Sequence, residues 1–257
     1  EGLDHTIKLP ERTQDLIVSI DEMLKTSEAT KARYPDLTKT ISSVLTKVKK
    51  SPVVVNTQDF RTRKPIKVGI GKLDLQFALS FIFLRDRENV AKLPRMFYDM
   101  DKGNFAEIGA YIAYIKSMSG SYSPMAVAMD SASGVSKRRF EEIMKQSEYA
   151  FVGRTTNFPY PDVAPYVPVD DLGDEFRKEV SSDIPTLFLA GTLDGRTLYQ
   201  SQLELAANFS NGTVITVDGA GHNLFMAHPD VGESVLAYFN GEKLVNKTIS
   251  LPEIKFE

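Results

Sequence analysis

The residues best suited to chemistry are Asp194, in Gly191-Thr-Leu-Asp-Gly-Arg-Thr197, and His222, in Gly219-Ala-Gly-His222, 28 positions further on. A carboxylate and an imidazole can form a proton relay. The imidazole takes a proton from a nucleophile and returns it to a leaving group, while the carboxylate fixes its tautomer and stabilises the imidazolium. An apolar run over 184–190 leads into Asp194, and a second over 214–217 leads into His222. Each residue therefore stands just beyond the carboxyl end of an expected strand, where functional groups gather in parallel sheets. Gly191 and Gly195 let the chain turn about the acid, and Gly219 and Gly221 do so about the base. Taken singly, Asp194 reads as a helix cap and His222 as an ordinary loop residue. Their order and their separation by one strand–helix unit point to a relay.

A relay needs a nucleophile. The sequence contains no Gly-x-Ser-x-Gly, the turn that presents a reactive serine between a strand and a helix. The nearest imitations, Ser121 in Ser119-Gly-Ser-Tyr-Ser-Pro124 and Ser131-Ala-Ser-Gly134, follow helical patterns and read as loop and capping serines. There is no cysteine, hence no thiol nucleophile, disulfide or zinc–thiolate site. The acid and base are thus expected to serve a serine, and an oxyanion hole, outside this chain. His228, beside Pro229, is expected to help start the last helix, and His5 to be a surface or hinge residue. The histidines lack the spacing and supporting ligands of a metal centre, so neither metal nor cofactor is expected.

The elements that position the pair divide the 257 residues into two parts. Residues 1–165 read as a mostly helical domain. Helical apolar spacing recurs over 10–24, 37–48, 72–85, 94–101, 104–118 and 137–149, with Ser136 placed as an N-cap, and 53–55 and 65–70 read as a hairpin. Prolines 159, 161, 165 and 168 suggest a rigid extended connector over 151–170. Residues 166–257 then alternate: strand 184–191, helix 197–209, strand 212–218, helix 229–239 closed by Gly241, and an extended tail. This order means a parallel sheet under helical cover, an α/β fold. A net charge of −3 offers no overall basic field for nucleic acid or anionic membrane. No apolar run is long enough to span a bilayer. The composition suits a cytoplasmic protein without excluding an exported one.

With these residues in hand, the chain resembles the C-terminal portion of an α/β-hydrolase of the proline iminopeptidase and tripeptidyl aminopeptidase family: a helical cap followed by the last strands of the core. Pro185-Thr-Leu-Phe-Leu-Ala-Gly-Thr-Leu-Asp194-Gly-Arg-Thr197 resembles the acid strand of that family, and Asp218-Gly-Ala-Gly-His222 its base loop. Glu1-Gly-Leu-Asp-His-Thr-Ile-Lys-Leu-Pro10 resembles the entry to the cap, and Asn157-Phe-Pro-Tyr-Pro161 the return to the core. Ala128-Met-Asp-Ser-Ala-Ser-Gly134 resembles a cap motif in which relatives often carry Cys at the place of Ser131. The resemblance implies an aminopeptidase releasing N-terminal residues by acyl transfer, with Asp194 as acid and His222 as base. It also implies cap carboxylates that bind the substrate's free amine, for which Glu1, Asp4 and Asp130 are candidates. An esterase, an epoxide hydrolase or dehalogenase with an aspartate nucleophile, and a non-catalytic truncated binding protein are the alternatives. The expected partners are a peptide or ester substrate and the N-terminal part of the same parent protein, or another chain, covering the open edge of strand 184–191.

Overall fold

The computed structural model describes residues 6–118 and 123–257. Glu1, Asp4, His5 and Ser121 lie outside the described residues. The helical part begins with α1 (Pro10–Lys25), α2 (Glu28–Arg33) and α3 (Leu37–Lys50). Pro10 suits the first turn of α1, where its missing N–H costs no hydrogen bond. Leu16, Ile17, Ile20 and Leu24 make one buried stripe of α1, and Leu37, Ile41, Val44, Leu45 and Val48 make that of α3. Asp36 caps α3 by accepting the Lys39 N–H at 2.8 Å. Buried Asp21 accepts the Leu37 N–H at 2.6 Å and pairs with Lys25 at 2.9 Å, which fastens α1 to the start of α3.

β1 (Val53–Gln58) and β2 (Pro65–Ile70) form the expected antiparallel hairpin. Asp59 accepts the N–H groups of Arg61 and Thr62 and the Thr62 hydroxyl, which makes the hairpin tip rigid and holds the Asp59 carboxyl below its usual range. α4 (Lys72–Ala78) continues into a widened turn, Leu79–Phe83, in which the Leu84 N–H reaches Leu79 O at 3.2 Å. α5 then runs over Arg87–Asp101, seven residues longer at its start than the 94–101 expected. Pro94 lies within it, because Val90, Leu93, Phe97 and Met100 bury a stripe that outweighs the lost hydrogen bond. α6 (Ala106–Met118) lies against the hairpin.

α7 (Pro124–Ser133) was not anticipated from its serine- and alanine-rich sequence; Ser123 caps it, and Ser131 and Ser133 are buried within it. α8 (Lys137–Tyr149) has Ser136 as its N-cap, accepting the Arg139 N–H at 3.2 Å. The proline-rich connector is not extended. It winds through successive turns, with short 3-10 segments at Thr155–Asn157 and Ala164–Tyr166. Fixed proline φ angles suit turns as well as extended chain, and Thr155 ties this stretch to Gln76 O and to Ser80.

After the short α9 (Gly173–Phe176) come β3 (Thr186–Gly191), α10 (Tyr199–Ala207), β4 (Gly212–Asp218), α11 (Pro229–Phe239) and β5 (Lys247–Ser250). The three strands form one parallel sheet in the order β3-β4-β5. This is an α/β architecture, a parallel sheet flanked by helices, as the strand–helix alternation leads one to expect. The expected extended tail supplies β5 and then crosses to the helical part. Ile254 and Phe256 pack on the helical core, Glu257 N–H reaches Ala91 O at 3.2 Å, and Arg95 binds Glu257 and Glu107. Among the described residues β3 pairs with β4 alone, so its other edge carries no strand.

Two outcomes test this packing. Ile41→Ala, at a fully buried position of α3, should lower the unfolding free energy by about 2–5 kcal/mol in urea titrations, whereas Val54→Ala on the exposed hairpin face should change it by less than about 0.5 kcal/mol. The Arg95 guanidinium holds the Glu107 carboxyl below its ordinary range. A depressed carboxylate stabilises the fold above its unfolded pKa, and that contribution disappears as pH falls through the folded value. Glu107→Gln should therefore be less stable than the parent at pH 7, with the gap closing below about pH 4.

Candidate active site

The loops after β3 and β4 bring Asp194 and His222 together. His222 Nδ1 lies 3.0 Å from Asp194 Oδ2. An ionised carboxylate only accepts, so the ring carries its proton on Nδ1 and donates it to the acid. This leaves Nε2, for which no hydrogen-bond partner occurs among the described residues, free to accept a proton from a nucleophile. The Asp194 side chain is 1% exposed and that of His222 29%. The acid is thus sealed from water while the base faces it.

Asp194 is fully engaged. Its Oδ1 accepts the N–H groups of Arg196 at 2.8 Å and Thr197 at 3.0 Å, and its Oδ2 accepts the Thr197 hydroxyl at 2.6 Å as well as the imidazole. The capping role and the relay geometry are compatible: one oxygen closes the turn, the other faces the histidine. Thr197 Oγ1 stands 3.4 Å from His222 Nδ1, so Thr197 borders both members of the pair. Sequence reasoning gave Thr197 no role. The one signal was a hydroxyl three residues after the acid, the spacing at which a side chain returns to a turn.

The two loops bind each other and the helical part. Leu193 N–H donates to Ala220 O at 2.9 Å, Thr192 Oγ1 to Asp218 Oδ1 at 3.0 Å, and Gly219 N–H to Thr192 Oγ1 at 2.8 Å. Gly195 N–H donates to Leu84 O at 2.8 Å, and a Cβ at Gly195 would overlap that carbonyl. Close backbone approach, more than turn-making, is why glycine stands beside the acid. A small cavity of about 150 Å³, lined by Arg12, Asp15, Ser19, Tyr199 and Gln200, opens beside Asp194. Burial pushes the Asp15 carboxyl upward, against the pull of Arg12. A larger cavity of about 620 Å³ flanks Gly221 and Asn223 on the base side.

The other expected residues fall elsewhere. Asp130 is half-buried on α7, where burial raises its pKa against the opposing charge of Lys8, and it takes no part in the hydrogen bonds of the pair. Ser131 and Ser133 are enclosed in α7 and make no hydrogen bond to His222. His228 is the N-cap of α11, its Nδ1 accepting the Asp230 N–H at 3.3 Å, as its place beside Pro229 suggested. Among the described residues no group of three His, Asp or Glu side chains could hold a metal, and no helix is long and apolar enough to cross a membrane.

A parallel sheet with a carboxylate and an imidazole beyond consecutive strand ends is the C-terminal architecture of the α/β-hydrolase class. Residues 164–247, which contain both, match the family described as TAP-like protein, Abhydrolase_4, and support a hydrolase of the α/β class. No curated protein matches the chain.

Thr197→Val should lose about 1 kcal/mol of stability in urea unfolding, because it removes the hydroxyl donor to the buried Asp194 carboxylate, and Thr197→Ser should recover most of it.

Proposed function

We propose that this chain is the helical cap (residues 1–165) and C-terminal core (166–257) of a serine hydrolase, most closely an aminopeptidase of the proline iminopeptidase and tripeptidyl aminopeptidase type. The observation that carries this reading is the 3.0 Å contact between the enclosed Asp194 carboxylate and His222 Nδ1, with Nε2 open. In the proposed reaction a serine outside this chain attacks the carbonyl of a peptide or ester, and Nε2 removes its proton. The imidazolium, held by Asp194, then protonates the leaving amine or alcohol, and water releases the acyl group by the reverse transfers. None of these steps by itself calls for a metal or cofactor.

The unpaired edge of β3 supports the presence of further sheet, contributed by the N-terminal part of a longer parent or by another chain. Apolar side chains on the same portion point outward, among them Met226 at 90% and Phe239 at 78% exposure, as surfaces of a larger core would. The match that starts at residue 164 supports the boundary between cap and core. Asp130, and with it Glu1 and Asp4, remain our candidates for the substrate amine.

A fluorophosphonate probe tests the reading. A longer protein that contains this chain and a Gly-x-Ser-x-Gly serine should be labelled, and His222→Ala should slow labelling by roughly a thousandfold or more. The isolated 257 residues should stay unlabelled. Labelling of the longer protein that is indifferent to His222, or strong labelling of the isolated chain, would refute it. A longer protein that cannot be labelled at all would instead fit a non-catalytic binding protein.

A further inference from the structure

Both loops of the pair converge on one short stretch of the helical part. The widened turn Leu79–Phe83 ends at Leu84 and α5 begins at Arg87. The backbone between them leaves the regular helical pattern, and its carbonyls are turned toward other donors. Leu84 O accepts the Gly195 N–H at 2.8 Å, and Arg85 O accepts the His222 N–H at 2.9 Å. Asp86 Oδ1 accepts from Asn223 Nδ2 at 2.8 Å. The Arg87 guanidinium donates to Gly219 O at 2.7 Å and, through its other nitrogen, to Pro252 O. Four consecutive residues thus each bind a residue at, or within three positions of, Asp194 or His222. The approach leaves no slack: a Cβ on Gly221 would lie 2.6 Å from Arg85 O and 2.9 Å from Asp86 Cα.

This stretch does for the base loop what the sheet cannot. β4 ends at Asp218, and the last main-chain bonds between the two loops reach Ala220. Beyond that point the Leu224 N–H to His222 O bond is internal to the loop and fixes nothing outside it. The direction of the imidazole depends on residues 219–223, and three of these (Gly219, His222 and Asn223) are held by residues 85–87. Two of the bonds are charge-assisted, from the Arg87 guanidinium and to the Asp86 carboxylate, which makes them the strong members of the set.

We propose that the turn 84–87 sets the position of His222 relative to Asp194, with Asp86 and Arg87 as positioning residues. This rests on the reading of the pair as catalytic base and acid, but its geometry is measurable without turnover. The chain has three histidines, so nitrogen-15 labelling of histidine resolves each ring and amide by NMR. Two signals report the position of His222: the Nδ1–H proton bonded to Asp194, and the exchange rate of its main-chain amide, which is bonded to Arg85 O.

Arg87→Ala should broaden or abolish the Nδ1–H signal and speed exchange of the His222 amide by about tenfold, the factor expected for one charge-assisted hydrogen bond. The His228 signals should not move. Arg87→Lys, which keeps a cationic donor, should restore most of the effect. Asp86→Ala, a milder change should Arg87→Ala fold poorly, should shift the same two signals in the same direction. Arg95→Ala, on the same helix as Arg87, is the structural control: it removes the contacts to Glu107 on α6 and to Glu257 at the end of the tail, so it should lower the unfolding midpoint and leave the His222 signals in place. Unchanged His222 signals in Arg87→Ala and Asp86→Ala, or equal changes in Arg95→Ala, would overturn the proposal. A failure of the catalytic reading is a separate outcome, seen when labelling by the fluorophosphonate ignores His222 while these NMR shifts occur.

Discussion

An ionised carboxylate withdrawn from water must have its oxygens occupied, and this requirement organises the chain around Asp194. At 1% exposure it receives two main-chain N–H groups, one hydroxyl and one imidazole. The first three donors come from the turn that follows it and cost no long-range folding. The fourth comes from 28 residues further along and requires the whole β3–α10–β4 unit to be built in register. The imidazole bond is therefore the point at which local turn chemistry and sheet topology have to agree.

The two parts of the molecule supply different things to that bond. The parallel sheet gives direction, since strands β3 and β4 end side by side and deliver their loops to one place. The helical part gives enclosure. Leu193, next to the acid, belongs to the same buried cluster as Leu16, Leu79 and Leu84, so the acid loop is seated in the helical core as well as on the strand. The sheet's own buried cluster, around Ile215, Val217, Val231 and Ile249, is much the smaller. The apolar seal around the carboxylate is thus made largely by residues remote in sequence.

This division explains what could be read from the residues alone. Strand–helix alternation over 184–239 was legible because apolar runs, glycines and prolines write it locally, and so was the placing of Asp194 and His222 beyond consecutive strand ends. Helices α1, α3 and α8 announced themselves by apolar spacing and caps. Errors arose where packing overruled local signals. Pro94 suggested a helix start, yet it lies inside α5 because the apolar stripe continues on both sides of it. Ser131 and Ser133 suggested a loop, yet α7 buries them. The prolines of 151–170 suggested an extended spacer, yet their fixed φ is spent on turns. The role of 84–87 was invisible, since two of its four bonds use main-chain carbonyls, which carry no mark in the sequence. Their one trace is the glycine at 195 and at 221, where a side chain would collide with them.

The fixing of both loops to one turn has a mechanical consequence. Leu84 grips the acid loop and Arg85 the base loop through adjacent carbonyls on a single stretch of backbone. Any displacement of the start of α5 then enters the two loops in common mode. The separation of carboxylate and imidazole is insulated from such a movement, while the distance from Nε2 to a group carried on any other body takes up all of it. The carboxylate–imidazole pair is thus stiff internally and moves as a unit, its own geometry held while its placement against the rest of the molecule follows the start of α5.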